Sequence, residues 1–213
     1  MKTDDLINAL ARGVEPAEKP RWRMNLAITL VAGLVVAGLL VAIGLGVRPD
    51  IGTARMPIMM KSMFAALAAA VILPIAVQLM KPGRLLGWRI GAVVLFVAIC
   101  AIATATALMG EMPEERWQAW MGGEGRAPWC VVLIPILAVP AAALLTWFMR
   151  AFAPTRITLT GAAIGALSGG VSAMAYAMYC PTDSVAFVTT WYTLAIAVCA
   201  ALGALVGSRF LRW

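Results

Sequence analysis

The sequence predicts an all-α integral membrane protein: a bundle of six transmembrane helices with a short cytoplasmic N-terminal amphipathic helix. Apolar residues make up 62% of the 213-residue chain and charged residues 13%, whereas soluble domains are nearer half apolar and a quarter charged. The apolar residues form long continuous runs, and a helix needs about 20 such residues to cross the hydrocarbon core. The runs lack the alternation of barrel strands, so we expect them to be helical.

The first 23 residues are predicted to form a cytoplasmic partner-binding segment. Thr3 can cap a helix N-terminus, and acids in the first turn, here Asp4 and Asp5, interact favourably with the helix dipole. One face of the predicted helix is apolar, formed by Leu6, Ile7, Leu10 and Val14. A helix of about ten residues is only marginally stable in water, so this apolar face must pack against the membrane or another protein surface. An interfacial helix on the inner leaflet and a helix in a partner's groove both remain open.

Residues 24–213 are predicted to form the transmembrane domain. Its six spans lie at about 24–47, 57–80, 88–109, 128–149, 157–180 and 185–207. Lys61 lies one turn inside the second span, where its long stem allows the ammonium group to snorkel to the headgroups. Away from their ends the spans carry no other ionisable side chain, which disfavours an ion-coupled carrier.

The distribution of positive charge predicts that both termini are cytoplasmic. With the N-terminus inside, twelve of the 17 Lys and Arg residues fall in inner segments and five in outer ones. Inner segments of membrane proteins carry this excess of positive charge. Trp residues fall near both predicted interfaces, as expected of an aromatic belt.

Small residues recur one turn apart in the fifth span, at Gly161, Gly165 and Gly169, and again in the sixth at Gly203 and Gly207. Such spacing lets helix backbones approach closely. We expect these stripes to be seams inside the bundle, with a dimer face as the alternative.

Two of the four cysteines are candidate functional residues. Cys130 opens the fourth span and Cys180 closes the fifth, so both thiols are expected at the same depth at the outer surface. Three interpretations remain open: a structural disulfide, a dithiol that responds to oxidants or thiophilic metals, and unpaired boundary thiols. Cys100 and Cys199 lie deep in spans three and six and are expected to be apolar fillers.

The sequence contains no histidine, nucleophile elbow, phosphate loop or paired carboxylates within a span. We therefore expect no enzyme and no cofactor. Three function classes are left: a membrane-bound regulator, a small-molecule transporter or permease accessory, and a structural scaffold.

Several short motifs together resemble the NrsF-type membrane anti-sigma factors. They are the opening Thr3-Asp4-Asp5-Leu6-Ile7 with Leu10-Ala11, the Pro16 linker, Arg21 and Arg23 leading into six helices, and the two outer cysteines. The resemblance covers essentially the whole chain. It implies a bacterial inner-membrane protein that holds an extracytoplasmic-function sigma factor inactive and releases it under stress.

The resemblance also implies roles for particular residues. The apolar face of the N-terminal helix would dock into the sigma factor, with added contacts from the inner loops at 81–89 and 150–156. A signal at Cys130 and Cys180 would loosen this hold. The expected partners are the sigma factor and the lipid bilayer, without direct nucleic-acid contact, and the oligomeric state is left open.

Overall fold

The computed structural model describes residues 21–81, 87–123, 127–152 and 154–210. Within these ranges every regular element is a helix. The helices are α1 (Trp22–Leu45), α2 (Arg55–Leu79), α3 (Trp88–Gly110), α4 (Arg116–Met121), α5 (Ala127–Arg150), α6 (Ile157–Tyr176) and α7 (Val185–Phe210). All except α4 are long and apolar enough to cross a membrane, which confirms the predicted class. The N-terminal amphipathic helix lies outside the described residues and stays a prediction. The division of the chain after residue 23 also stays a prediction, and α1 begins at Trp22.

Some helix bounds differ from those expected from hydropathy. The fifth spanning helix, α6, ends at Tyr176 rather than near residue 180. Residues 177–179 form turns, and Pro181 has no N–H with which to continue a helix. Helices α1 and α7 each contain a π-helical turn, at Val41–Leu45 and Val188–Tyr192, and turns of this kind are frequent at functional sites.

Helix α6 is the centre of the bundle and packs against α1, α2, α5 and α7. In its most apolar stretch 72% of the residues are buried, more than in any other spanning helix. A side chain at Gly165 would place its Cβ 2.8 Å from the carbonyl carbon of Cys199 and 3.1 Å from the Cα of Gly203. The backbones of α6 and α7 are therefore in direct contact. The expected internal seam is confirmed, and glycine is required there because a methyl group has no room.

Alternating helix directions place the connections at two ends of the bundle. Residues 46–54, 111–123 and 177–184 lie at one end, called here the Cys180 end. Arg21, the α2–α3 connection, the α5–α6 connection and Phe210 lie at the other, the Arg21 end. Helix α3 is peripheral: Cys100 is its one buried residue among those described.

Replacing Gly165 by alanine is expected to destabilise the bundle by about 1–3 kcal/mol, the usual range for an overpacked core. Gly91→Ala is the matched control, because nothing lies within 4 Å of a Cβ at this position in α3. The measurement is unfolding of the purified protein in mixed detergent micelles. Equal midpoints for the two variants would contradict the close contact of α6 and α7.

Candidate functional site

The thiols of Cys130 and Cys180 meet at the Cys180 end. Cys130 lies in the first turn of α5, and Cys180 lies in the turn that follows α6. Both side chains are buried, both are free thiols, and their sulfur groups interact directly. The two cysteines lie at the same end of the bundle, as expected. The contact between their thiols was not predictable, because it depends on the rotation of the helices. The structure describes a reduced pair, whereas the assignment of these cysteines as sensors stays a prediction.

Two buried tyrosines border the pair. Cys130 Sγ lies within hydrogen-bond distance of Tyr176 Oη, at 3.5 Å. The ring of Tyr192 lies 6.0 Å from the ring of Tyr176, and both rings belong to the core cluster that contains the two cysteines. The π-helical turn of α7 ends at Tyr192, so this turn helps to set the side of α7 that faces the thiols.

Lys61 holds the segment that carries Cys180. Its Nζ donates to the carbonyl oxygen of Cys180 at 2.7 Å, to that of Thr182 at 3.1 Å, and to Asp183 Oδ1 at 2.7 Å. The side chain is 3% exposed. The expectation that Lys61 snorkels to the headgroups is therefore wrong: three oxygens of one short segment surround the ammonium group and replace its hydration.

Arg48 joins the same cluster from the α1–α2 connection. Its Nε donates to Asp50 Oδ1 at 2.7 Å, and its Nη1 donates to Asp183 Oδ1 at 3.0 Å and to the Cys180 carbonyl oxygen at 3.3 Å. Burial would raise the pKa of Asp183, but hydrogen bonds from Arg48 and Lys61 outweigh it, and the pKa is lowered. Two cations and two carboxylates thus balance, which makes their burial tolerable.

The sequence carried a signal for this cluster that hydropathy counting missed. A lysine one turn inside a span needs a counter-ion. Asp183 is the one acid in the connection between the fifth and sixth spans, so a pairing between these two positions was open to inference. Sequence alone did not reveal Arg48 as the second partner.

The environment of Cys180 favours its thiolate form. Its pKa is lowered because the Cys130 thiol donates to it and the positive charge of Lys61 lies nearby, although burial opposes both effects. A thiolate beside a thiol supports two kinds of chemistry, closure to a disulfide and binding of a soft metal ion. Within the described residues, no group of three or more His, Cys, Asp or Glu side chains is placed to hold a metal.

The other predicted site residues are distributed as follows. The N-terminal group, Thr3, Asp4, Asp5, Leu6, Ile7, Leu10 and Val14, lies outside the described residues. Cys100 and Cys199 are buried in α3 and α7. Cys199 packs at the glycine seam, where its Sγ lies 3.0 Å from the position of a Cβ on Gly169, in agreement with a filler role.

The fold and site define a multi-pass membrane protein with six spanning helices and a buried dithiol clamped by ionic contacts at one end. Residues 10–213 match the family model "NrsF: Negative regulator of sigma F", and the chain belongs to this family. It is 37% identical over 216 residues to the "Probable anti-sigma-F factor NrsF" of Azospira oryzae. It is also 37% identical over 224 residues to the "Anti-sigma-F factor NrsF" of Caulobacter vibrioides. Both alignments cover 100% of each chain. No solved structure matches the chain.

These comparisons confirm the resemblance inferred from the sequence motifs. The names of the two relatives describe regulators and not enzymes, in line with the function class expected for this chain.

Asp183→Asn is expected to destabilise the protein by about 1–3 kcal/mol at pH 7, since it leaves the buried Lys61 ammonium without a carboxylate. This is less than the ~3–5 kcal/mol for breaking a fully buried pair, because the Asp183 side chain is 35% exposed. Asp50→Asn is the control. Its side chain is 50% exposed, so this substitution should lower the free energy of unfolding by less. Unfolding in mixed micelles measures both.

The pH dependence of this loss follows from the lowered pKa of Asp183. A carboxylate with a lowered pKa stabilises the folded state above its ordinary value of 3.8, and the contribution is lost as pH falls through the folded-state pKa. The difference between wild type and Asp183→Asn should therefore shrink at acidic pH. An equal difference at pH 7 and pH 3 would argue against the ion pair.

Proposed function

We propose that this chain is a membrane-bound anti-sigma factor that sequesters an extracytoplasmic-function sigma factor through its cytoplasmic N-terminal helix. The sigma factor is released when the Cys130–Cys180 pair senses a stress signal, either by reacting with an oxidant or by binding a thiophilic metal. The family match supports a role in regulating a sigma factor, because it covers nearly the whole chain. Two relatives that align over their full length are named as anti-sigma factors. The sensing step is supported by the contact between two buried, free thiols.

The proposed location is the bacterial inner membrane with both termini in the cytoplasm. Support comes from the twelve Lys and Arg residues on the N-terminal side against five on the other. In this orientation the Cys180 end faces the periplasm, an oxidising compartment. The predicted binding segment then lies on the same side as the cell's RNA polymerase machinery.

Two chemical events at the pair would serve as the signal. In oxidation, the two thiols lose two protons and two electrons to an oxidant such as a disulfide or peroxide, and a Cys130–Cys180 bond forms. In metal binding, a soft cation displaces both thiol protons and is held by the two sulfurs. Either event draws Cys180 into a new position relative to α5.

Helix α6 is the proposed route from the thiols to the Arg21 end. Its 20 residues span about 30 Å at 1.5 Å per residue, and it joins the turn that holds Cys180 to the α5–α6 connection. Because the glycine seam locks α6 to α7, a shift at Tyr176 moves the two helices together. Contacts of the sigma factor with the basic α5–α6 connection would change as a result.

The affinity that one short N-terminal helix can reach is limited, since ordering the helix opposes binding. A second contact raises the effective concentration of the first. Arg150 and Arg156, which flank the α5–α6 connection, provide charge at the Arg21 end for such a contact.

Deleting residues 2–14 is expected to abolish sigma-factor binding while the bundle still inserts. The finer test is Leu6→Asp with Leu10→Asp, which removes the predicted apolar face and should weaken binding at least tenfold. The matched control, Asn8→Asp with Ala9→Asp, adds the same charge on the other face. Binding of each purified extracytoplasmic-function sigma factor of the source organism is measured on inside-out membrane vesicles.

Equal binding by the two double variants would reject docking through this face. Binding that occurs on right-side-out vesicles instead would reverse the proposed orientation.

Oxidised glutathione or Hg²⁺ is expected to weaken the hold on a bound sigma factor at least tenfold in the reconstituted full-length protein. Cys130→Ser and Cys180→Ser should each abolish this response, because both reactions need two thiols. Cys100→Ser is the control: its thiol is also buried in the bundle but lies outside the pair. The readout is the fraction of sigma factor retained.

Retention that is unaffected by both reagents, with only a change in unfolding midpoint, would support the scaffold alternative. A response that persists in the two serine variants would place the signal elsewhere in the chain.

A further inference from the structure

The proposed sensing step leaves one feature of the Cys180 end unused, namely the buried ammonium group of Lys61. An ammonium has three N–H donors, and here all three are directed at one four-residue segment. The acceptors are the carbonyl oxygens of Cys180 and Thr182 and the carboxylate of Asp183. The segment 180–183 is therefore folded around the ammonium group that α2 supplies.

The local backbone holds Cys180 less firmly than a helix would. Helix α6 ends at Tyr176, and the Cys180 N–H bonds to the Tyr176 carbonyl oxygen at 3.1 Å, the last bond that ties it to the helix. Beyond it, Pro181 donates nothing to the backbone. The position of the Cys180 sulfur thus depends on what its carbonyl and the following residues bind.

Arg48 cannot replace Lys61 in this role. Its guanidinium reaches the Cys180 carbonyl oxygen at the longer distance of 3.3 Å, and its other side-chain bonds go to Asp50 and Asp183. The Thr182 carbonyl oxygen accepts from the Lys61 ammonium group at 3.1 Å and from Cys180 Sγ at the longer distance of 3.9 Å, and Arg48 does not reach it. Without the ammonium group, two carbonyls and a carboxylate would lie close together with one cation among them.

We propose that Lys61 is the positioning residue of the dithiol: its ammonium group holds segment 180–183 in the conformation in which the Cys180 sulfur contacts Cys130. Lys61 thereby sets how readily the pair closes into a disulfide. This deepens the proposed sensing function and rests on it for its biological meaning. The chemistry itself is separate: both thiols give up a proton, two electrons pass to glutathione disulfide, a Cys130–Cys180 bond forms, and two molecules of glutathione leave.

The test measures the equilibrium constant for this exchange in the purified full-length protein, in buffers of known ratio of reduced to oxidised glutathione. Mass spectrometry of alkylated protein counts the pair as dithiol or disulfide. Lys61→Met keeps most of the stem but removes the charge and all three donors, and should lower the constant at least tenfold. Lys61→Arg restores a charged donor and should recover part of the loss. Lys81→Met makes the same change at the opposite end of α2 and should match wild type.

An equilibrium constant for Lys61→Met equal to that of wild type would overturn the proposal. So would equal losses in Lys61→Met and Lys61→Arg, since a merely structural role gives no recovery by a charged residue. If Lys61→Met does not fold, Lys61→Gln takes its place, because it keeps two amide donors without the charge. An unchanged constant for that variant would overturn the proposal in the same way.

This experiment contains no sigma factor, so its outcome is distinct from that of the release assay. A wild-type pair that closes normally in glutathione while the sigma factor stays bound rejects the sensing function alone. A Lys61→Met protein that closes as readily as wild type rejects the positioning role alone.

Discussion

Direct contact between the backbones of α6 and α7 is the constraint on which the other helices depend. At Gly161, Gly165 and Gly203 the two helices approach until an added Cβ would meet main-chain atoms. Packing this close gains dispersion contacts along most of the membrane thickness, and in lipid such contacts replace the hydrophobic effect as the source of helix association. With α6 and α7 fixed, α1, α2 and α5 pack around α6 and bring their own Cys180 ends together.

The cluster of Arg48, Asp50, Lys61 and Asp183 is the second constraint, and it differs from the first because it depends on specific ionic partners. Small residues can pack tightly without specific partners. Each buried charge, by contrast, needs a defined hydrogen-bond donor or acceptor. The cluster therefore determines how three connections meet, after packing has brought them near. Its neutrality follows from two cations and two carboxylates within hydrogen-bond distance.

Hydropathy predicted the six helices, and small-residue spacing predicted the α6–α7 seam, because both depend on features that repeat along the chain. Depth was also predictable: Cys130 and Cys180 were expected at one level and are found there. The rotation of each helix about its axis was not predictable, since a span that is apolar all round has no preferred face. The direction of Lys61 and the contact between the thiols depend on rotation, which explains why the snorkelling expectation failed. The short helix α4 was missed because six residues give too little periodicity.

The low hydropathy of α6 affects how the chain inserts into the bilayer. Its mean hydropathy of 1.4 is the lowest among the six spanning helices, although its surroundings are the most enclosed. Lipid therefore gives this helix less favourable solvation than it gives α1 or α3, and its place in the membrane depends on neighbouring helices. Three of them, α1, α2 and α5, precede it in synthesis and one, α7, follows. The segment least suited to entering lipid alone is thus made when most of its protein surroundings already exist.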